Sequence, residues 1–184
     1  MTARPQRPDW DEYFLDIARV VARRSNCRRR RVAAVIVCDR RIVSTGYNGT
    51  PRGIRNCDEG GCPRCASDVS SGERLDECIC SHAEENAIVQ AAFHGIPVRG
   101  GTVYCTTSPC LMCCRMIINA GIREVVYEQE YHFSGIARRL LEEAGVRIRR
   151  WTKVPGAGSG RAQSRRRGGS GSRREPSARE AENR

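Results

Sequence analysis

Hydrophobic and polar residues alternate along residues 9–151 in blocks that predict a regular series of helices and strands. From Asp9 to Ser25 the apolar side chains recur at helical spacing, which predicts an amphipathic first helix. An almost unbroken apolar run over 32–38 and a second stretch over 42–47 are joined by a short charged turn. This pattern predicts a β-hairpin whose first strand is covered on both faces.

Beyond residue 81 the pattern alternates between helices and strands with short connections. Helical spacing and strand-like apolar runs follow one another over 82–94, 101–106, 110–120, 122–128, 135–144 and 146–151. A hairpin followed by this alternation predicts an α/β fold, with a five-stranded mixed sheet that carries helices on both faces. The short connections place the third, fourth and fifth strands beside one another.

One domain with an extension at each end accounts for the 184 residues, of which 39% are hydrophobic. We expect a flexible N-terminus over 1–8 and a folded domain over 9–153. Within that domain, 49–81 forms an insertion rich in glycine and cysteine. Residues 154–184 are mostly Gly, Ser, Pro and Arg, so this segment cannot bury enough apolar surface to fold and is predicted to be a disordered basic tail.

The net charge of +11 is concentrated in part in the tail, which contains eight Arg and three Glu. Weak contact with nucleic acid or another polyanion is one interpretation of the tail. A solubilising extension is the interpretation favoured by its lack of aromatic residues that would stack on bases. The chain start has no apolar signal core and no run approaches the roughly 18 apolar residues of a membrane span, which predicts a cytoplasmic protein without a membrane partner.

Two short motifs carry the candidate chemistry. His82-Ala83-Glu84 opens one predicted helix, and Pro109-Cys110-x-x-Cys113 opens another. The imidazole of His82 and the thiolates of Cys110 and Cys113 are ligands that Zn²⁺ takes in catalytic sites with an open fourth position. Together the motifs match H-x-E…P-C-x-x-C, the signature of zinc-dependent nucleobase deaminases, in which the glutamate is the general acid and base.

Each half of this pattern also has a simpler interpretation. Ser81 and Glu84 have the spacing of a helix capping box, which could coexist with catalysis. A lone Cys-x-x-Cys would also suit a structural zinc half-site or a redox pair. Cys114 lies one residue beyond Cys113 and shares the helix face of Cys110. The two intervening residues of the motif favour Cys113 as the ligand and Cys114 as a residue that packs in the core.

The positive end of the helix dipole is expected to lower the thiol pKa of Cys110 and Cys113.

The insertion contains five of the eleven cysteines, and the absence of an export signal argues against disulfides. These five are Cys57, Cys62, Cys65, Cys78 and Cys80. A second, structural zinc held by four of them would give the loop a core that it otherwise lacks. Free thiols are the alternative. We assign Cys57, Cys62, Cys65 and Cys80 first, and the sequence leaves the ligand set open.

Over residues 10–151 the sequence resembles the cytidine deaminase superfamily and, more narrowly, the deoxycytidylate (dCMP) deaminases. The resemblance rests on Arg24-Ser25, Gly46-Tyr-Asn-Gly49, Cys80-x-His82-Ala-Glu84-x-Asn86, Ser108-Pro-Cys110-x-x-Cys113 and Tyr131-His132. It implies the three-layer α/β/α cytidine-deaminase-like fold, a catalytic zinc, and hydrolytic deamination of dCMP to dUMP and ammonia for thymidylate synthesis. The insertion also resembles the cysteine-rich form of the family's insertion, which in some members holds an extra metal.

The resemblance further implies specific contacts and partners. Asn48 would bind the sugar, the Ala83 amide would bind the pyrimidine carbonyl, and Tyr131 would meet the 5′-phosphate together with Ser25 and Arg29. A deoxycytidine nucleotide would be the substrate, dCTP and dTTP the effectors, and a homo-oligomer, hexamer or dimer, the assembly. The alternatives are deamination of another cytosine nucleotide or of a base in tRNA or single-stranded nucleic acid. A non-enzymatic DNA-binding protein is disfavoured because the ligands and Glu84 are intact.

Overall fold

A five-stranded mixed sheet forms the centre of the computed structural model, which describes residues 7–131 and 133–153. The strands are β1 (Ala33–Cys38), β2 (Arg41–Tyr47), β3 (Thr102–Thr107), β4 (Glu124–Gln129) and β5 (Arg147–Arg150). Their order across the sheet is β2-β1-β3-β4-β5. β1 pairs antiparallel with β2 and β3, whereas β3 with β4 and β4 with β5 are parallel. The predicted hairpin, mixed sheet and adjacency of the last three strands are confirmed.

Helices lie on both sides of this sheet, as the sequence pattern predicts. In the described part of the chain, α1 (Trp10–Ala22) packs on one face, and α3 (Ala83–Phe93), α4 (Leu111–Asn119) and α5 (Gly135–Glu143) pack on the other. The short α2 (Pro63–Ala66) belongs to the insertion. Short 3-10 turns at Cys57–Glu59 and Leu75–Glu77 are, with α2, the helical elements of the insertion. The first helix ends three residues earlier than predicted, because the amides of Arg23, Arg24 and Ser25 bond to carbonyls three residues back and tighten its last turn.

Alternating residues of the central strands supply two separate cores. Val35 and Val37 of β1 face α1 and contact Phe14 and Leu15. Ala34 and Ile36 of the same strand face the other side. There they belong to the core formed with α3, α4 and α5, whose buried residues include Ala87, Cys114, Ile117 and Leu141. The three-layer arrangement therefore follows from the apolar run of β1, which is buried on both faces.

Two predicted segments fall partly or wholly outside this description. Of the predicted N-terminal extension, residues 1–6 lie outside the described residues, and so does the predicted tail over 154–184. Among the helices within 7–131 and 133–153, none combines the length and apolar character that crossing a bilayer requires.

Helix α3 approaches β2 most closely at Gly46, where the strand has no side chain. A Cβ atom at this position would overlap the Ala83 carbonyl oxygen and the Ala87 amide nitrogen. Two hydrogen bonds accompany the close approach: Ser44 Oγ donates to the Ala87 carbonyl over 2.7 Å, and Asn86 Nδ2 donates to the Tyr47 carbonyl over 2.8 Å. These contacts hold the N-terminal half of α3 against the sheet.

We expect Gly46→Ala to lower the free energy of unfolding by about 1–3 kcal/mol, because the added methyl group must displace helix backbone rather than a flexible side chain. Gly135→Ala is the matched control, since a Cβ there meets no atom within 4 Å and alanine favours the helix. Denaturant unfolding of both variants measures the difference. Equal stability of the two variants would show that the contact with α3 is not tight.

Candidate active site

His82, Cys110 and Cys113 converge where α3 and α4 begin. His82 and Cys110 are the N-cap residues of these helices, and Cys113 lies in the first turn of α4. His82 Nδ1 is 3.3 Å from Cys110 Sγ and 3.4 Å from Cys113 Sγ. A tetrahedral zinc with ordinary bond lengths would separate such nitrogen and sulfur atoms by about 3.6 Å. The three donors, all within 4.8 Å of one another, therefore have the chemistry and spacing of a zinc site.

Glu84 lies beside this trio and is almost completely buried, with 4% of its surface exposed. Its Oε2 accepts a hydrogen bond from Cys113 Sγ at 3.6 Å. Burial raises the pKa of Glu84 to about 7, because the charged carboxylate has little solvent to stabilise it. His82 is exposed and Cys110 is half-buried, so the centre is accessible from solvent on their side while Glu84 faces the interior.

The capping box predicted for Ser81 and Glu84 is wrong, and its place is taken by the next pair of residues. Because α3 begins at Ala83, His82 is the N-cap and Glu85 is the third helical residue. The Glu85 carboxylate accepts from the His82 amide over 3.1 Å, and Ser81 Oγ contacts it at 3.4 Å. Glu85 therefore satisfies the helix end, which leaves the Glu84 carboxylate directed toward the ligands.

The three side chains of this trio share protons unequally. The pKa of Cys110 falls to about 4, because its thiolate accepts hydrogen bonds from Cys113 first and then from His82. The same bond raises the pKa of Cys113, and contact with Cys110 raises the pKa of His82 to about 9. The expected lowering of the thiol pKa is therefore seen at Cys110, whereas the pKa of Cys113 is raised because its thiol donates to the Cys110 sulfur.

Cys114, the alternative ligand, belongs to the hydrophobic core. It is fully buried in the cluster that α3, α4 and α5 form on the sheet, and its Sγ lies 4.0 Å from the Pro109 carbonyl oxygen. It is not a member of the group of donors around His82. The geometry therefore favours Cys113 as the ligand, as the motif spacing does.

A backbone bridge between two loops brings the segment of Asn48 next to the segment that carries His82. The Gly49 amide donates to the Ser81 carbonyl over 3.2 Å, and the Ser81 amide donates to the Gly49 carbonyl over 2.9 Å. Asn48 and His82 therefore adjoin the same isolated bridge. Ala83, the other predicted contact to the base, is fully buried at the first position of α3.

The Asn48 side chain also organises the loop between α1 and β1. Its Oδ1 accepts from Ser25 Oγ at 2.7 Å and from the Val32 amide at 2.8 Å, and its Nδ2 donates to the Arg30 carbonyl at 2.9 Å. Within the described chain these bonds occupy the carbonyl oxygen of the side chain and leave one amide hydrogen for another acceptor. The structure thus brings Ser25 and Asn48 together, next to the arginine run.

The arginines of this loop, Arg28 to Arg31, differ in what they contact. Arg29 donates to the carbonyls of Arg64, Ser67 and Val69 and so holds the insertion. The guanidinium of Arg30 lies over the Tyr131 ring, 3.5 Å from its centroid. The sequence offered no signal to separate these neighbours, since both belong to one charge run.

A polar cavity of about 310 Å³ lies at this loop and is lined by residues 25–31 and Asp58. Tyr131 lies beside Arg30 and its hydroxyl also contacts Ser71 Oγ at 2.8 Å. Its predicted companion His132 falls outside the described residues. Ser25 and the arginine run are thus placed around one cavity, and the predicted phosphate contact of Arg29 stays a prediction.

A second group of cysteines surrounds the loop that leads to His82. We call it the six-cysteine cluster; its members are Cys27, Cys57, Cys62, Cys65, Cys78 and Cys80. Two sets of four sulfurs lie within 4.8 Å, one formed by Cys27, Cys57, Cys65 and Cys80 and the other by Cys62, Cys65, Cys78 and Cys80. The predicted set of Cys57, Cys62, Cys65 and Cys80 matches neither, because Cys57 and Cys62 belong to different sets. Cys27 was missed because it lies outside the insertion, between α1 and β1.

Comparison with known proteins gives a consistent result. The model of the cytidine and deoxycytidylate deaminase zinc-binding region matches residues 8–129. A deoxycytidylate deaminase of Schizosaccharomyces pombe is 49% identical over 145 residues, covering 79% of this chain and 45% of that protein. One from Mycobacterium phage D29 is 45% identical over 131 residues, covering 67% of this chain and 98% of that protein.

A solved structure of similar fold is the dCMP deaminase of cyanophage S-TIM5 in complex with dCMP and dUMP. Its TM-score is 0.64 at 32% identity, and the match covers 79% of this chain and 98% of that one. The chain spans about half the length of the curated yeast relatives that it matches, 45% in Schizosaccharomyces pombe and 46% in Saccharomyces cerevisiae.

We expect Cys113→Ala to contain one zinc ion fewer per chain than the unmodified protein, because it removes one of three protein ligands. Cys114→Ala is the matched control: it removes the adjacent buried thiol, which faces the core, and should retain all the zinc. Elemental analysis of both purified proteins by mass spectrometry measures the difference. Loss of zinc from the Cys114 variant alone would reverse the ligand assignment.

Proposed function

The chain belongs to the cytidine and deoxycytidylate deaminase zinc-binding family, and on that premise we propose that it hydrolyses dCMP to dUMP and ammonia. The observation that carries the proposal is the convergence of His82, Cys110 and Cys113 beside the buried carboxyl of Glu84. Two further findings support the substrate. The S. pombe and phage relatives are named deoxycytidylate deaminases, and the S-TIM5 structure contains dCMP and dUMP.

Zinc held by His82, Cys110 and Cys113 would supply a hydroxide nucleophile near neutral pH by lowering the pKa of water. Glu84 then handles the protons. It takes one from the attacking water, delivers it to the ring nitrogen beside the reacting carbon, and assists departure of the amine as ammonia. A pKa of about 7 suits this work, because both protonation states of the carboxyl are then accessible at neutral pH.

The chain also provides groups that would orient the base and the sugar. The first amides of a helix have no intrahelical acceptor, so the Ala83 amide at the start of α3 suits the proposed bond to the pyrimidine carbonyl. The unused amide hydrogen of Asn48 suits a sugar oxygen. The bridge between Gly49 and Ser81 would keep these two donors at a constant distance from the ligands.

Arginine side chains at the polar cavity would recognise the 5′-phosphate. The guanidinium group is planar and always charged, and it pairs well with phosphate oxygens. Arg30 is better placed for this role than Arg29, because the donors of Arg29 are engaged by carbonyls of the insertion. Stacking on Tyr131 would hold the Arg30 group in place.

Self-association and nucleotide effectors complete the proposal. Several side chains on the outer surfaces of α3 and α4 are both apolar and exposed, among them Val89 by 53%, Phe93 by 71% and Met112 by 59%. Covering them in a homo-oligomer, a dimer or a hexamer, would remove this apolar surface from water. Activation by dCTP, inhibition by dTTP and a cytoplasmic location rest on the family resemblance and the composition.

We expect Glu84→Gln to retain its zinc and to lose about 10²–10⁴-fold in kcat, the usual contribution of general acid–base catalysis. Glu85→Gln is the matched control on the next residue, because glutamine can still accept from the His82 amide in the capping box. Ammonia release from saturating dCMP measures both variants. Wild-type turnover by a zinc-loaded Glu84→Gln protein would refute the assigned mechanism.

We expect Arg30→Gln to lower kcat/KM for dCMP by about 10- to 100-fold, the value of a hydrogen bond to a charged group, and to change that for deoxycytidine little. Arg139→Gln, on the exposed face of α5, is the matched control and should leave both values unchanged. The same assay with single-stranded oligonucleotides tests the alternative substrate. A preference for oligonucleotide over dCMP would overturn the proposed substrate class.

A further inference from the structure

We propose that the six-cysteine cluster binds two zinc ions in a binuclear centre in which the thiolates of Cys65 and Cys80 bridge both ions. Each ion would have two further ligands of its own. These are Cys27 and Cys57 for one ion, and Cys62 and Cys78 for the other.

The first argument is the way in which the two four-sulfur sets overlap. Two tetrahedral ions need eight coordination positions, and six sulfurs fill them only when two sulfurs are shared. The two sets have two members in common, Cys65 and Cys80. The arrangement of the sulfurs thus has the stoichiometry of a Zn₂Cys₆ centre, a chemistry that proteins are known to use.

The second argument is distance. In a tetrahedral site with bonds of about 2.3 Å, neighbouring sulfurs lie about 3.8 Å apart. Cys78 Sγ is 3.9 Å from Cys62 Sγ and 3.9 Å from Cys65 Sγ. These side chains therefore already have the spacing of ligands to one ion.

The third argument is burial. A single zinc in either set would leave two thiols without a metal, Cys62 and Cys78 or Cys27 and Cys57. Cys57 and Cys62 both have no exposed surface, and each would be unused in one of these cases. Between Pro51 and Cys80 the only buried residue that is not a cysteine of the cluster is Arg64, so the insertion has no apolar core of its own. Two ions would use every sulfur and would supply the interior that the segment lacks.

The surroundings also suit thiolates. Six thiolates around two Zn²⁺ ions carry two net negative charges, and binding releases six protons from the thiols. Four arginines, Arg28 to Arg31, directly follow Cys27 in the sequence, and their positive charges would offset the negative charge of the centre.

The centre would connect three segments whose relative positions matter for the proposed function: the loop after α1, the insertion, and the residues that lead to His82. Cys27 belongs to the arginine loop, the segment between α1 and β1 that contains Arg28 to Arg31. The other five belong to the insertion, where Cys80 precedes His82 by two residues. This consequence rests on the proposed function, whereas the metal content of the cluster does not.

Zinc content of the full-length chain, expressed with added zinc, tests the proposal. We expect three ions per chain in the unmodified protein and two in Cys113→Ala, which lacks a catalytic ligand. A mononuclear cluster would give two and one instead. X-ray absorption of Cys113→Ala should show an all-sulfur shell at about 2.3 Å together with zinc–zinc scattering. One zinc or none in this variant, or two without zinc–zinc scattering, would overturn the binuclear centre.

Ligand variants in the Cys113→Ala background separate bridging from terminal cysteines. Cys27→Ala should retain one ion, because the set around Cys62 and Cys78 stays complete. Cys65→Ala should lose both ions, because each is left with three ligands. Cys38→Ala, a cysteine of β1 outside both sets, is the control and should retain two. Equal zinc content in the Cys27 and Cys65 variants would contradict bridging. Where a ligand variant fails to fold, the zinc count and scattering of Cys113→Ala decide the question alone, and neither depends on turnover.

Discussion

The close approach of α3 to β2 is the constraint on which the candidate active site depends. Gly46 lets the helix backbone contact the strand, and the hydrogen bonds from Ser44 and Asn86 hold it there. His82 and Glu84 occupy the first residues of that helix, so their positions follow from the contact. Cys110 and Cys113 are positioned by a second helix: β3 leads into the loop that ends at Cys110, and α4 packs against α3. The three side chains meet because α3 and α4 begin close together, beside the ends of the strands.

Helix phase then separates the roles of two adjacent acids. Successive residues of an α-helix point about 100° apart, so Glu84 and Glu85 cannot serve the same partner. Because α3 begins at Ala83, Glu85 reaches back to the His82 amide and Glu84 enters the interior. The motif in the sequence identified Glu84 as chemically important, but the spacing also fitted a capping box. Only the residue at which the helix begins distinguishes the two.

The features predicted correctly from the sequence are local ones. The periodic pattern of apolar residues over 32–47 and beyond residue 81 predicted the hairpin, the alternation of helices and strands, and the sheet. It could do so because burial patterns repeat within single elements. The two zinc motifs sit at predictable helix starts. Cys27 could not be found this way, since its partners Cys57 and Cys80 lie far along the chain. Likewise, a run of four arginines gives no indication that Arg29 binds the insertion while Arg30 stacks on Tyr131.

The insertion reaches stability by a different route from the sheet. Its long loops lack buried aliphatic side chains, so coordination bonds would have to do what apolar burial does elsewhere. This has a consequence for the position of His82, because Cys80 and His82 are separated by one residue whose backbone is bonded to Gly49. Two residues of extended chain span only about 7 Å. A metal at Cys80 would therefore restrict where His82 can lie, and Cys27 would restrict the arginine loop in the same way. With metal bound in this way, the insertion would act as a support that keeps the loop of Arg28 to Arg31 and His82 at a constant separation.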